Sequence, residues 1–365
     1  MNKLLSATAT LAASTSLASA GGIDRSGQSI APIFETGNYA ELSFGSVSPT
    51  VSGTATVPFG SGSSGNMSGD YSLVGLAYKY QFNDKLSFTL IYDEPFGADV
   101  NYPAATTYFA RGATATLESQ AITGLLRYKI DENWSVHGGL RYQSLEAIAS
   151  IPFAANYTAQ ATKDYGVGYV VGAAYERPDI ALRVALTYSS EIAHSLSTVE
   201  TGPAAVTSPT NVETPQSVNL DFQTGIAPDT LLFGSVRWVD WSDFDISPTA
   251  YGFLPGNPSL VSYRDDTITY NIGIGRRFNE NWSGAVSLGY EKSNGGFSSN
   301  LGPTDGNISI GLGGSYTNGG VKVSGGVRYI KIGNAQTTLG TSGATASNFT
   351  DNKAIAVGLK IGYSY

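Results

Sequence analysis

The chain has 365 residues, of which 44 are glycine, 22 are tyrosine and none is cysteine, and its formal net charge is −8. Charged residues make up 14%, against about 25% in an ordinary soluble domain. This balance excludes coiled coils, charged helical bundles, nucleic-acid binders with a basic face, and all thiol or zinc-thiolate chemistry.

The first twenty residues form a separate unit. Lys3 precedes a mild apolar run from Leu4 to Leu17, and Ala18-Ser19-Ala20 is a small-x-small cleavage site. That pattern predicts a secretory signal peptide over residues 1–20. No later apolar run reaches 18 residues, so no spanning helix is expected. An exported chain of this kind is either soluble or a transmembrane barrel, whose strands need only alternate.

After residues 21–38, a repeating unit begins at residue 39 and runs to residue 365. Short polar turn signals recur at nearly even spacing: Asn83-Asp84-Lys85, Asp131-Glu132-Asn133, Arg177-Pro178-Asp179, Ala227-Pro228-Asp229, Asn279-Glu280-Asn281 and Asn318-Gly319-Gly320. Two of them run into the same tripeptide, Asn133-Trp134-Ser135 and Asn281-Trp282-Ser283. Between the turns lie looser segments near 54–67, 99–112, 152–163, 199–215, 248–262, 294–304 and 336–350. Six turns and seven loops join fourteen strands.

The strands show a period of two. In 164–176, Tyr165, Val167, Tyr169 and Val171 alternate with Gly166, Gly168 and Gly172. At the end of the chain, Ile355, Val357, Leu359, Ile361, Tyr363 and Tyr365 alternate with small or polar residues. These stretches reach about ten residues, the length of a tilted membrane-crossing strand. Short turns opposed to long loops, with Tyr80, Phe82, Tyr128, Trp134, Phe278, Trp282 and Tyr365 beside the turns, complete the pattern. The expected fold is an all-β, 14-stranded antiparallel transmembrane β-barrel of a Gram-negative outer membrane, with both termini in the periplasm.

Several pieces carry a family resemblance. They are Leu125 to Trp134 running on to Tyr142, Tyr165 to Tyr188, Val236 to Phe244 with Trp241-Ser242-Asp243-Phe244, and Tyr270 to Tyr290. In order and spacing the chain resembles the FadL/TodX outer-membrane transporters of hydrophobic compounds, which have fourteen strands. The resemblance implies that residues 21–38 fold back into the lumen as a hatch. It also implies that a hydrophobic ligand binds inside and leaves through a gap made by a kink in the third strand. The matching stretch is Tyr92-Asp93-Glu94-Pro95-Phe96-Gly97. Pro95 donates no ladder bond and Gly97 packs no side chain, which fits either a wall defect or the simple end of a strand. Here the hatch is shorter than the family's, and Ala31-Pro32 stands without the family's preceding Asn.

Candidate site residues follow from this. Ile23, Ile30, Ile33 and Phe34 either touch ligand or pack the lumen wall. His137 and Arg141 alternate onto the inner face, as do Arg127, Arg183, Arg237 and Arg277; His137 is expected to line the lumen and bind ligand there, and the arginines either meet a ligand carboxylate or pair with luminal carboxylates. Pro95 and Gly97 are the candidates for a lateral opening. Ser135 lies two residues before His137, so a lipid hydrolase is a competing reading, although strand neighbours at that spacing orient poorly for catalysis. Gly60-Ser61-Gly62-Ser63-Ser64-Gly65 fits a dinucleotide fingerprint literally, but no βαβ context surrounds it. Acidic groups, Asp93-Glu94, Asp240, Asp243, Asp245 and Asp265-Asp266, are expected at the external ends, where solvation or lipopolysaccharide cations explain them. The expected function is passive uptake of hydrophobic small molecules, long-chain fatty acids or aromatic hydrocarbons, by a monomer embedded in outer-membrane lipid and lipopolysaccharide. No catalysis, cofactor, metal or nucleic-acid partner is expected. A general porin for polar solutes is the alternative.

Overall fold

The structure, a computed structural model, describes residues 22–340 and 343–365. The expected signal peptide over residues 1–20 lies outside the described residues. Fourteen antiparallel strands form the wall. They are β1 (Tyr39–Thr50), β2 (Tyr71–Gln81), β3 (Leu86–Asp93 and, after a break, Gly97–Asn101), β4 (Thr114–Lys129) and β5 (Trp134–Ile151). Next come β6 (Tyr157–Arg177), β7 (Leu182–Ser189 and Ile192–Thr201), β8 (Val206–Thr214 and Ser217–Ala227) and β9 (Thr230–Val239). The last five are β10 (Thr267–Arg277), β11 (Trp282–Glu291), β12 (Asn307–Asn318), β13 (Val321–Ile332) and β14 (Lys353–Ser364). Each pairs with the next, and β1 pairs with β14 from Tyr39↔Ser364 to Thr50↔Lys353, closing the cylinder. Closure leaves no open edge in the hydrocarbon, where an unpaired backbone group costs several kcal/mol.

The alternation read from the sequence sorts the two faces. Leu42, Phe44, Leu140, Val167, Ile272, Leu312 and Leu359 point outward and are exposed. Ser135, Thr123, Ser287, Ser315 and Ser324 point inward and are buried. The seven aromatics expected beside the short turns are all exposed there, as an interfacial girdle.

The turns explain their own sequences. The Asp131 carboxylate accepts the N–H groups of Asn133 (2.8 Å) and Trp134 (2.7 Å), which holds its pKa below the usual carboxylate value. Asn83 and Asn279 cap their turns in the same way. In the repeated Asn-Trp-Ser, the Asn133 and Asn281 amides donate to Glu176 O and Thr317 O at the ends of the neighbouring strands β6 and β12. Trp134 and Trp282 face lipid, and Ser135 and Ser283 face the lumen.

The external end departs from expectation in two places. Residues 152–163 and 199–215 were expected to be loops, yet most of them are strand, leaving turns of only 152–156 and 202–205. The alternation simply continues there with a polar outer face: Thr158, Gln160, Ser195, Ser197 and Asn211 are exposed while Ala159, Ala161, Leu196 and Val212 are buried. A Ser/Thr-rich outer face is what a strand needs once it rises above the lipid. The remaining loops fold into the mouth. Gly53–Ala55, Phe297–Ser298, Ala335–Thr338 and Thr345–Phe349 form a small sheet. Beside it Tyr102 stacks on Tyr108 with centroids 5.4 Å apart, and the Tyr108 hydroxyl meets Ser347 Oγ at 2.6 Å. Residues 60–65 lie in the first external loop with no helix after them, so the glycine pattern is loop chemistry.

Candidate functional site

Pro95 interrupts β3 rather than ending it. The strand resumes at Gly97 and pairs with β4 from Gly97↔Glu118 to Asn101↔Thr114. On its other side the ladder to β2 stops at Leu76↔Tyr92. Above the break it resumes on first-loop residues, with Ser68 bridging Val100 and the Gly69 N–H donating to Asp99 O at 3.0 Å. The result is a framed window in the wall, between residues 70–75 on one side and 93–98 on the other. Across the window to β2 a side chain takes the ladder's place: the Val74 N–H donates to the Glu94 carboxylate at 3.2 Å. Asp93-Glu94 therefore stand at mid-wall, not at an external end as expected, because the break turns them toward the opening. Behind the window is a cavity of about 100 Å³, lined by Pro32, Leu73, Ala77, Ile91, Tyr92 and Glu94 among others.

The break frees backbone groups from the ladder, and those of Pro95, Phe96 and Gly97 find substitute partners. The Ser119 hydroxyl on β4 accepts the Phe96 N–H and donates to the Phe96 carbonyl, both at 2.8 Å. The N-terminal segment supplies the rest. The Arg25 N–H donates to Pro95 O at 2.8 Å and the Gly97 N–H donates to Ile23 O at 2.9 Å. Residues 23–25 thus act as a short extra strand against the kink.

That segment crosses the lumen from one wall to the other. At its lower end Lys79 of β2 donates to Glu35 O. The 3-10 turn Ala31–Phe34 follows, started by Pro32. Asn219 and Ser217 of β8 bond Gly27 O and Gln28, and Asp24 forms a buried ion pair with Arg237 of β9 at 2.7 Å. At the top Gly22 lies against the Trp241 ring, where a Cβ would come within 2.7 Å. Trp241 and Phe244 of the Trp-Ser-Asp-Phe motif, with Phe96 and Tyr263, form an aromatic cluster over the segment.

The sequence-derived candidates fall into place as follows. Ile30 and Ile33 are buried against Ala77, Ile91, Leu125 and Val170, so they pack the segment onto the wall. Phe34 lies between the guanidinium groups of Arg127 (4.6 Å) and Arg183 (4.5 Å), with its ring edge-on to His137. His137 Nε2 meets Thr187 Oγ1 at 3.0 Å, while Ser135 Oγ accepts from Arg127 Nε at 3.1 Å. The Ser135–His137 pair that a hydrolase would need is therefore not engaged. Arg141 is buried and donates to Thr123 Oγ1 at 2.9 Å. Arg127, Arg237 and Arg277 pair with Glu176, Asp24 and Asp229. Pro95 and Gly97 are at the window, with a Cβ on Gly97 falling 2.4 Å from Arg25 Cζ. The window thus unites Pro95, Gly97 and Glu94 of the kink stretch with Arg25, Tyr71 and Ser119, which carry no local signal; His137 and Arg141 lie elsewhere along the lumen. No group of three or more metal-ligating side chains occurs among the described residues.

Solved structures of low sequence identity share this barrel fold. The crystal structure of a Pseudomonas aeruginosa FadL homologue superposes with a TM-score of 0.74 at 14% identity, covering 100% of this chain and 98% of that one. The Pseudomonas putida toluene transporter TodX gives 0.66 at 11% identity, over 97% of both chains. The Ralstonia pickettii toluene transporter TbuX gives 0.61 at 13%, over 91% of this chain and 90% of that one. A search among curated proteins finds no match. The sequence profile described as "Outer membrane protein transport protein (OMPP1/FadL/TodX)" matches residues 33–365, and the chain belongs to that family.

Proposed function

We propose that the chain carries small hydrophobic molecules passively across the outer membrane, residues 21–38 acting as a reduced hatch and the β2–β3 window as a lateral exit. One observation carries this reading. The β2–β3 ladder stops at Leu76↔Tyr92, and an apolar recess floored by Ala31 and Pro32 lies behind the gap. A hydrophobic solute gains about 0.8 kcal/mol per CH₂ it buries, so a lined recess opening to lipid holds it without exposing it to water. The capped mouth and the crossing segment oppose free passage of polar solutes. The solute identities named for TodX and TbuX and the fatty acids of the family resemblance give two probes, toluene and oleate.

The test is uptake of labelled toluene, oleate and a monosaccharide by Gram-negative cells depleted of their own carriers. The reading predicts faster entry of toluene or oleate and no gain for the sugar, with small current in planar bilayers. Large steady conductance with sugar entry would establish a general porin instead. Replacing Pro95 by Thr, which restores a backbone donor to β3, should extend the ladder and slow uptake. Uptake unchanged by that replacement would refute lateral exit.

A further inference from the structure

Two cavities meet at the N-terminal segment. One is the window recess. The other, of about 150 Å³, lies above it in the lumen, lined by Ile23, Arg25, Met67, Tyr71, Gly97 and Ile330 among others. Their linings share no residue. The boundary falls between Arg25 and Ser26 on the segment, between Tyr71 and Leu73 on β2, and between Glu94 and Gly97 on β3. One side chain stands at that boundary, on its luminal side. The Arg25 guanidinium lies 4.2 Å above the Tyr71 ring centroid, and on its other side it fills the space that a Cβ on Gly97 would occupy.

We propose that Arg25 is the gate between the luminal cavity and the lateral window, closing the passage by bridging Tyr71 of β2 to Gly97 of β3. This assignment rests on the proposed lateral route. Arg25 is built to move. Its backbone is fixed by the bonds to Pro95 and Gly97, while its guanidinium forms no ion pair within 4.0 Å among the described residues and its Nε has no hydrogen-bond partner. Asp99 on the luminal side, Glu94 on the window side and Glu118 opposite Gly97 on β4 all attract it. A side chain held by ring stacking among separate carboxylates, with none of them in ion-pair contact, can swing without unseating the segment. The absence of a side chain on Gly97 leaves the room it occupies when shut.

The chain has no cysteine, so Ala98→Cys places a single thiol in the luminal cavity. The purified barrel in liposomes is treated either with pyrenyl maleimide dissolved in the lipid or with a sulfonated maleimide in the bath. Combining Ala98→Cys with Arg25→Ala should raise labelling from the lipid at least tenfold. Arg25→Lys, which keeps the charge but loses the planar stack, should give an intermediate rate. Labelling from the bath should stay within twofold of the Ala98→Cys parent. An unchanged lipid-side rate would overturn the gate, and so would equal acceleration from both sides, since that marks general loosening. The assay needs no transport substrate. Faster lipid-side labelling in a barrel that takes up neither toluene nor oleate would uphold the gate and refute the transport reading alone.

Discussion

Ser119→Ala tests the idea that the break in β3 is held by substituted partners. The hydroxyl makes two bonds at 2.8 Å, one to each backbone group of Phe96, and Phe96 is 1% exposed. Alanine cannot replace either bond, and the site is closed to bulk water. Leaving a buried donor or acceptor unsatisfied costs about 1–3 kcal/mol each, so the kink loses at least about 2 kcal/mol. With a factor of ten per 1.4 kcal/mol, opening becomes roughly 30-fold more frequent. Amide hydrogen exchange followed by mass spectrometry reads this directly, because the Phe96 amide reports local opening rather than unfolding of the barrel. Exchange at Phe96 should accelerate by about that factor, while amides of β12 and β13 keep their protection. Ser119→Thr, which keeps the hydroxyl, should hold the parent rate. A change below about threefold at Phe96 in the alanine variant would refute the reasoning, since the hydroxyl would then not be what holds the kink.

Two further outcomes follow from the same structure. Arg237→Leu strips the buried Asp24 of its partner, which costs about 3–5 kcal/mol where a charge is left uncompensated. Trypsin should then cleave after Arg25 in folded barrels that are otherwise resistant, and resistance equal to the parent would count against the ion pair as an anchor. Burial pushes the Tyr108 phenol up to about 12, against about 10 for a free tyrosine. Because the folded value is raised, the packing of the external cap is intact below pH 10 and is lost as pH climbs from 10 to about 12. Near-ultraviolet circular dichroism should show this step, and Tyr108→Phe should reduce its amplitude.

The barrel itself was legible from alternation and turn chemistry, because both are local. Asp131 and Asn279 cap turns of nearly the same sequence, and each lipid-facing run shows in every second residue. The protruding strands were not legible. Thr158, Gln160 and Ser197 have the composition of a loop, and only their cross-strand partners make them strand. The window was half legible. Pro95 and Gly97 announce a defect, but Ser119, Tyr71 and Arg25 reach it through register and through the fold-back of the N-terminal segment, which no short stretch encodes. In sequence Ile30 and Ile33 fit ligand contact or wall packing equally, since an apolar residue destined for a lumen reads the same whether it meets a solute or the wall.

The window also bears on how the wall can open. In an ordinary barrel, parting two strands breaks a run of ladder bonds one after another, like a zip. Here the rungs below Leu76↔Tyr92 and above Gly69 are already complete without the intervening stretch. The cylinder's hydrogen-bond count does not depend on how wide the gap stands. Widening it asks that Val74 release Glu94 and that Arg25 leave the Tyr71 ring, two side-chain contacts, so an adaptable portal coexists with a stiff frame.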